Sequence, residues 1–416
     1  MTRAGAYVLV AAACALPRLA AVLYERGRLL DRFTEKSDQI ASTFVESGTF
    51  GFLPDVPTAY TQPLYGFFLA PIYAVFGRSW LAVGVAQTLV AVATALLVYE
   101  LGRRVASQRA GLVAALLTTL HPYVVWHDVH VNREVLDGLV AVALTLLAVL
   151  LAERRSWRLA AALGAVAGLA ILGNARLILL PVALAAYLAW RWADARETLR
   201  AAAIIGVAAA VALAPWVVRN ERQVGCYAIT TDARALWKAN NLHTYETLER
   251  GLWIDDVPEL PGAPPSPELA AALALDRGRP FPVDECAQME LYRGEVTEFW
   301  REHPGEKAKL AAQAAGMLWN PFERAGASAE ADEGFSATAR RVIEPGYMLG
   351  LYVLALGGAL VAGRRVAVLA GVLLGYQTLA AMVFAGTPRY RAPWDFLVAL
   401  LAGIALVRLW ERRRRV

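Results

Sequence analysis

The most constraining feature of this chain is a series of apolar runs, each about as long as a lipid bilayer is thick. A helix that crosses the hydrocarbon core needs about 20 mostly apolar residues. Ten stretches approach this length: roughly 5–24, 80–100, 108–126, 135–152, 158–173, 176–190, 200–218, 346–362, 366–385 and 393–410. Hydrophobic residues make up 57% of the chain and charged residues 19%, whereas soluble proteins average about 45–50% and about 25%. These values exclude an ordinary soluble enzyme and a disordered chain.

The runs predict an all-α polytopic membrane protein with about ten transmembrane helices, within a range of 10–12. The fifth and sixth runs are short and share a break at 173–176, so the pair could form one helical hairpin. Residues 63–77 are also apolar, but this run is short and contains Pro63 and Pro71. We expect an interfacial helix there, in the first outer loop, rather than a span.

Arginine marks one side of the expected membrane. The chain has 37 arginines and only four lysines, and arginine clusters follow every second apolar run, at 103–109, 154–158, 191–200, 364–365 and from 412 onward. The positive-inside rule then predicts that both termini are cytoplasmic, and that the loops 25–79, 121–134, 174–176, 219–345 and 386–392 face outward. Such short clusters do not favour nucleic-acid binding. The arginine-rich basic set is typical of GC-rich bacterial genomes, and we therefore expect a bacterial plasma membrane.

The first run has a second interpretation, as a cleaved signal peptide with Arg3 as its charged start and Cys14 after three alanines. Pro17 and Arg18 lie inside the run and no clear cleavage site follows, so we expect an uncleaved span. The polar content then divides the chain into an N-terminal transmembrane module (1–218), an extracytoplasmic domain (219–345) and a C-terminal transmembrane module with a basic tail (346–416).

The extracytoplasmic domain is predicted to be small and mostly helical, with some β-structure. A β-like stretch covers 226–230, and helical patterns follow near 284–303 and 305–318, separated by Pro304 and Gly305. Cys226 and Cys286 both lie in this domain, where oxidation is permitted. A disulfide between them and two unrelated thiols are equally compatible with the sequence.

Asp38 is the leading candidate for a catalytic group. It lies in the first outer loop, between a charged stretch and an aromatic-rich one. A carboxylate at the membrane surface can act as a general base that takes a proton from an acceptor hydroxyl. The competing interpretation is a solvated residue at the N-terminus of a helix, where aspartate is common.

The second outer loop, 121–134, contains three of the five histidines of the chain, together with acidic neighbours. His127, Asp128 and His130 could contribute to a divalent-metal site. Their spacing matches no known zinc signature, and a polar interfacial loop is the favoured alternative. Glu134 begins the next helix, where a carboxylate also suits the positive helix end.

Arginines on the outer side break the positive-inside pattern. Arg176 lies at the break near 173–176, Arg389 and Arg391 flank Tyr390 in the last outer loop, and Arg18 and Arg133 also lie on this side. A phosphate at the outer surface would explain them, because guanidinium binds phosphate through two parallel hydrogen bonds. Snorkelling to lipid headgroups is the alternative.

Several segments together resemble the GT-C glycosyltransferases of the protein O-mannosyltransferase and aminoarabinose-transferase type. They follow the order found in that family: Asp38, 61–69, 99–104, 122–134, 168–172, 230–241 and 389–393. Segment 61–69 is similar to the family's HPPLY-like stretch, with Thr61 and Gln62 in place of its first two residues. The family often has an Asp-Glu pair in the first loop, whereas Asp38 precedes Gln39. The basic residue that the family has after 168–172 is displaced to Arg176.

The resemblance implies that a sugar moves from a polyprenyl-phosphate donor to a lipid, glycan or protein acceptor outside the membrane, with inversion. It implies that Asp38 is the general base and that Arg389, Arg391 or Arg176, near Tyr390, holds the donor phosphate. The outward domain would then select the acceptor or sugar, through residues of its aromatic and amide-rich stretches: Trp237, Asn240, Asn241, Tyr245 and Trp253. Packing is the alternative for its aromatic residues.

Two other functions are compatible with the sequence. A transporter or flippase for lipid-linked sugars would have the same apolar body, but such proteins often have internal repeats and mid-membrane charges, and here no repeat is evident. A non-catalytic subunit for cell-envelope assembly is the third possibility, since Gln39 departs from the family pattern.

Overall fold

The computed structural model describes residues 2–25, 30, 35–278, 281–322 and 342–414. Regular structure within these ranges is helical, and the β-type pairing seen there is an isolated bridge between Leu53 and Val56. The predicted all-α fold is therefore confirmed for this part of the chain.

Within the described residues, the N-terminal module contains ten α-helices. They are α1 (Arg3–Glu25), α2 (Lys36–Ser47), α3 (Pro63–Phe76), α4 (Trp80–Val105), α5 (Gln108–Thr119), α6 (Pro122–Asp128), α7 (Glu134–Arg154), α8 (Trp157–Gly173), α9 (Leu180–Trp192) and α10 (Ala195–Val224). A 3₁₀ turn, Ala175–Leu177, separates α8 from α9.

The remainder of the described chain adds nine more. They are α11 (Ala233–Lys238), α12 (Thr244–Glu249), α13 (Pro267–Arg277), α14 (Glu285–Glu302), α15 (Pro304–Trp319), α16 (Glu344–Val361), α17 (Arg364–Val383), α18 (Pro388–Arg391) and α19 (Asp395–Arg413). Short 3₁₀ turns lie at Ile254–Asp256 and Ala392–Trp394.

Eight helical stretches of the described residues are long and apolar enough to cross a membrane. These are Arg3–Glu25, Trp80–Val105, Glu134–Arg154, Ala175–Trp192, Ala195–Val224, Glu344–Val361, Arg364–Val383 and Pro388–Arg413. Two of the ten predicted runs form shorter helices. The run 158–173 is the 17-residue α8. The run 108–126 is not one helix, because α5 ends at Thr119 and Pro122 starts α6.

Close backbone contact explains why α8 packs along α10. A Cβ atom on Gly164 would lie 2.4 Å from the Ile205 carbonyl oxygen, and one on Gly168 would lie 2.8 Å from the Ala209 oxygen. Such spacing of small residues is a common way for helices to approach in membranes, where burial of apolar side chains adds little. Helix α8 therefore packs more extensively on α10 than on α9. This arrangement differs from the single α8–α9 hairpin that the sequence allowed.

The bundle has two unlike ends. At the arginine end lie the turns that connect α4 to α5, α7 to α8, α9 to α10 and α16 to α17. Arg3 lies 3.4 Å from Glu100 and Arg109 lies 3.9 Å from Glu411, so both ends of the described chain lie here too. At the opposite end, the loop end, lie α2, α3, α6 and residues 225–322. The predicted placement of both termini on one side agrees with this arrangement.

The region 219–345 differs from expectation in one respect. The β-like stretch 226–230 forms no strand; it runs beside the first loop, and the Thr231 amide donates to the Ala59 carbonyl over 2.9 Å. The two predicted helices are confirmed as α14 and α15, with the break at His303. Cys226 and Cys286 are joined by a disulfide, with their Cα atoms 6.0 Å apart.

Candidate active site

A recess at the loop end begins where α5 stops short. The Gln87 amide, seven residues into α4, donates to the carbonyls of Asp128 and His130 over 2.8 Å each. Seven helical residues correspond to about 10 Å. The loop that follows α5 therefore lies about that far below the outer end of α4, inside the bundle.

Arg18 of α1 anchors this recessed loop. Its guanidinium donates to Asp128 Oδ2 over 2.8 and 2.6 Å, and also to the carbonyls of Cys14 and Thr119. Both members of the pair are buried, at 1% and 5% side-chain exposure. Arg18 and Asp128, each considered from the sequence as a functional group, are thus engaged with one another and hold α6 against α1.

Arg389 is the centre of the polar cluster in the recess. Its guanidinium is ion-paired with Glu35, which immediately precedes α2, and with Glu134 at the start of α7. It also donates to Asn132 over 3.4 Å. Burial raises the pKa of Glu35, although Arg389 opposes this shift. Residues far apart in the sequence therefore bring two carboxylates and one guanidinium together.

His127 and Glu134 form one wall of this cluster. The Asn132 amide lies 2.9 Å from His127 Nδ1, and that nitrogen lies 3.8 Å from Glu134 Oε2. Glu134 Oε2 is buried and accepts no hydrogen bond from any described residue. A pocket that is partly open to solvent adjoins Glu134 and His127, with mostly apolar walls that include Val135 and Phe396.

Two further arginines approach the same cluster. Arg133 donates to Gln62 over 2.8 Å and lies 4.0 Å from Asp137. Arg176 lies at the turn before α9, and its guanidinium stacks on the Tyr390 ring, 3.2 Å from the ring centroid.

Arg176 is held in place by a neutral group. Its Nε donates to the Asn174 side chain over 3.0 Å, and no carboxylate in the described ranges lies within ion-pair distance of it. Arg176 is half-buried. Its positive charge is thus less compensated than that of Arg389, which has two carboxylate partners.

Asp38 lies on the first turn of α2, beside this cluster. Arg78 donates to both of its carboxylate oxygens, over 2.8–3.1 Å, and the Tyr73 hydroxyl donates to Oδ1. The side chain is 7% exposed. Both oxygens of Asp38 thus accept hydrogen bonds within the protein, and these contacts fix α2 on α3.

The three candidate metal ligands do not converge. Asp128 pairs with Arg18, His127 contacts Asn132, and His130 Nδ1 lies 2.6 Å from the Trp126 carbonyl while its ring stacks on Trp126. Among the residues with described positions, no group of three or more histidine, cysteine or acidic side chains is arranged to hold a metal ion.

Arg391 points away from the cluster that contains Arg389. It is 2% exposed, pairs with Asp395 over 2.9 Å and donates to the Leu318 carbonyl at the end of α15. These contacts join the end of α15 to the start of α19. We therefore do not include Arg391 among the phosphate-binding groups proposed below.

The expected acceptor residues of the outward region are mostly buried in its framework. Trp237 packs on Tyr292, with 5.5 Å between ring centroids. Asn240 Oδ1 accepts from Trp300 and Lys307, and the Asn241 amide donates to the Trp237 carbonyl. These contacts indicate a structural role for this stretch.

Two further aromatic residues of the region 219–345, Tyr245 and Trp253, have other surroundings. The backbone carbonyl of Tyr245 accepts from Gln313 of α15. Trp253 reaches the recess, because its ring centroid lies 6.2 Å from that of Tyr390. Of the aromatic residues considered for sugar contact, Trp253 is thus the one beside the cluster.

Sequence reasoning missed several members of the site. Glu35 was grouped with the charged stretch of the first loop, and Asn132 and Asp137 had no assigned role. The available signal was position: Glu35 directly precedes α2, and Asn132 directly precedes the Arg133-Glu134 pair. Glu35 and Asn132 contact Arg389, and Asp137 lies beside Arg133. These contacts depend on the packing of α7 against the turn Ala392–Trp394 that follows α18, which spacing along the chain does not encode.

The helical bundle and its recessed polar site define the class: a polytopic membrane protein with the GT-C fold. Residues 55–218 match the family model described as dolichyl-phosphate-mannose-protein mannosyltransferase. The expected likeness to the GT-C glycosyltransferases is thus confirmed. No curated protein sequence matches the chain significantly.

Solved structures share this fold at low sequence identity. The archaeal oligosaccharyltransferase AglB from Archaeoglobus fulgidus, in complex with an inhibitory peptide and a dolichol-phosphate, superposes with a TM-score of 0.55 and 13% identity over 98% of this chain and 50% of that chain. The apo form of the Archaeoglobus fulgidus oligosaccharyltransferase gives 0.52 and 13% over 98% and 51%. ArnT from Cupriavidus metallidurans bound to undecaprenyl phosphate gives 0.44 and 17% over 98% and 79%, a score too low to support an argument. The chain spans about half the length of the oligosaccharyltransferase that it resembles.

Proposed function

We propose that this protein transfers a sugar from a polyprenyl-phosphate donor to an acceptor at the loop end of the bundle, which faces outward. The observation that carries the proposal is the buried cluster around Arg389, where carboxylates and guanidinium groups meet in a recess beside a pocket. Transfer from a lipid phosphate needs both a proton acceptor and a cationic site for the leaving group. The match of 55–218 to a family named for a dolichyl-phosphate sugar supports this donor class.

Arg176 and Arg389 are proposed to bind the donor phosphate. Arg176 has no carboxylate partner among the described residues and stacks on Tyr390. Arg389 directly precedes Tyr390, on whose ring Arg176 stacks, and Arg389 is held by Glu35 and Glu134. A guanidinium placed in advance in a water-poor site stabilises the charge that develops on the departing phosphate.

Glu35 is proposed as the general base, with Asp38 as the alternative. Burial raises the pKa of Glu35, which makes it a better proton acceptor near neutral pH. Asp38 has both oxygens engaged by Arg78 and Tyr73, so it can take a proton only if those contacts loosen.

The proposed step balances as a single displacement. Glu35 accepts the proton of an acceptor hydroxyl, and the oxygen attacks the anomeric carbon of the sugar. The bond between that carbon and the phosphate oxygen breaks, and polyprenyl phosphate leaves with the electron pair. Attack from the face opposite the phosphate inverts the anomeric configuration.

The test uses purified full-length protein, radiolabelled polyprenyl-phosphate sugars and acceptors extracted from cell membranes. Removing a general base typically lowers the rate by about 100-fold or more. We expect Glu35→Gln to lose at least that much transfer while undecaprenyl phosphate binding, measured separately, changes by less than about threefold. Arg176→Gln should instead weaken that binding, because it removes the uncompensated guanidinium.

Asp38→Asn is the matched control, since it also replaces one first-loop carboxylate by its amide. The main effect of Asp38→Asn should be a lower thermal stability. The transfer rate measured on the protein that remains folded should be less affected. Full activity of Glu35→Gln together with an inactive but folded Asp38→Asn would assign the base to Asp38. Absence of transfer by the wild type from every donor would overturn the enzymatic proposal. Movement of labelled donor across liposomes would then support a flippase.

A further inference from the structure

A second basic feature lies at the arginine end, where the last turn of α9 meets the first turn of α17. Arg364 lies over the exposed ring of Trp190, with 5.7 Å from its guanidinium carbon to the ring centroid. Trp190 is 38% exposed and its ring centroid lies 6.2 Å from that of Tyr187. An exposed tryptophan at the end of a span is typical of the membrane–water interface.

Two more arginines border the same seam. Arg191 follows Trp190 in the last turn of α9, and Arg365 follows Arg364 in the first turn of α17, so both lie where these two packed helices end. In the part of the chain that the structure covers, no carboxylate lies within 4.0 Å of Arg191, Arg364 or Arg365. We refer to Trp190 and these three arginines as the α9–α17 seam.

Neighbouring arginines at this end are arranged differently. Arg103 pairs with Glu100, and Arg104 pairs with Glu153 over 3.0 Å. Glu153 is thus paired with Arg104 and with none of the seam arginines. The seam thus has three arginines without an ion-pair partner among the described residues, one of them over the Trp190 ring, at the level where two spans end.

We propose that the α9–α17 seam binds the headgroup of an anionic phospholipid from the adjacent leaflet. Its charge fits a phosphodiester, which guanidinium groups bind through paired hydrogen bonds. Its position fits a lipid rather than a soluble anion, because Trp190 presents an apolar ring next to the charges and α9 and α17 both continue into the bilayer. Basic pockets between spans on the arginine-rich side bind acidic lipids with two phosphates especially well. This site lies at the opposite end from the proposed active site and does not depend on it.

The test is native mass spectrometry of the full-length protein in detergent, titrated separately with cardiolipin, phosphatidylglycerol and phosphatidylcholine. Each arginine near a membrane surface contributes roughly a fivefold factor in affinity for acidic lipid, so three correspond to a factor on the order of 100. We expect the triple variant Arg191→Gln, Arg364→Gln, Arg365→Gln to lose cardiolipin binding by that order. Phosphatidylcholine binding should change by less than about twofold.

The matched control removes three charges from the same end, away from the seam: Arg408→Gln, Arg412→Gln, Arg413→Gln. It should retain cardiolipin affinity within about threefold. An equal loss in both triple variants would overturn the proposal, because it would assign the affinity to overall charge. Full displacement of cardiolipin by millimolar inorganic phosphate would also overturn it, because the seam would then be a phosphate site without lipid preference. Trp190→Ala in the wild-type background should weaken cardiolipin but not phosphate.

Discussion

The buried pair of Arg18 and Asp128 allows a quantitative test of how the recess is held. Removing one partner from a buried ion pair typically costs about 3–5 kcal/mol, because the other charge is left without compensation. Arg18→Met also removes the donors to the carbonyls of Cys14 and Thr119. We therefore expect Arg18→Met and Asp128→Leu each to lower the free energy of unfolding by about 3–5 kcal/mol.

The double variant distinguishes the cost of leaving one charge unpaired from the cost of losing hydrogen bonds and packing. With both charges gone, the remaining loss comes mainly from the two unpaired carbonyls and from packing, and we expect about 2 kcal/mol. The double variant should thus be more stable than either single variant. Unfolding of purified protein in mixed micelles of mild detergent and dodecyl sulfate measures all three differences.

Arg3 supplies the control for this cycle. It lies on the same helix and pairs with Glu100, but its side chain is 57% exposed. Arg3→Met should cost less than about 1 kcal/mol. If the losses of Arg18→Met and Asp128→Leu simply add in the double variant, the two groups do not stabilise one another and the reasoning fails.

Three other predictions concern the outward region and the bundle. Reduction of the Cys226–Cys286 disulfide, or replacement of both residues by serine, should lower the free energy of unfolding by about 4 kcal/mol, since the bond closes a loop with a sequence separation of 60; equal urea unfolding curves with and without reductant would contradict this. Gly358→Leu should disrupt the contact of α16 with α19, because even a Cβ atom there would lie 1.9 Å from the Leu401 carbonyl oxygen; a monodisperse variant with unchanged melting temperature would refute it. Burial lowers the pKa of Lys307 from 10.5 to about 8, so between these values the unfolded chain holds a proton that the folded chain lacks, and stability should rise with pH across that window. Lys307→Met should remove this part of the slope in melting temperature against pH, and an unchanged slope would show that another group causes it.

The bundle could be predicted because its signal is local. An apolar run specifies a helix that satisfies its own backbone hydrogen bonds in lipid, so no distant residue is needed to identify it. Helices α14 and α15 could be predicted from a local signal too, because proline is common at the first position of a helix and Pro304 begins α15. The prediction of β-structure at 226–230 was wrong, because the Thr230 hydroxyl and the following Thr231 amide donate to the carbonyls of Tyr60 and Ala59, which lie in a loop rather than in a second strand.

The site was harder to predict because its charges are compensated across the fold. Spacing identified Glu134, Arg176 and Arg389 as unusual, and the structure brings these three near one cluster. Spacing along the sequence could not reveal that Arg389 pairs with Glu35, since 354 positions separate them. Nor could it distinguish Arg391 from Arg389, which lie two residues apart on a four-residue helix but point into different surroundings.

The brevity of α5 has a consequence for the lipid around the protein. Twelve residues of helix are about 18 Å long, whereas the hydrocarbon layer is about 30 Å thick. The missing length is occupied by the short helix α6 and the residues that follow it, which include His127 and Asn132, groups that acyl chains cannot solvate. Their exposures of 2% and 0% show that neighbouring helices, rather than a thinner bilayer, enclose them. The protein thus encloses a set of polar side chains beside the shortened helix, at a depth where a full-length span would present apolar ones.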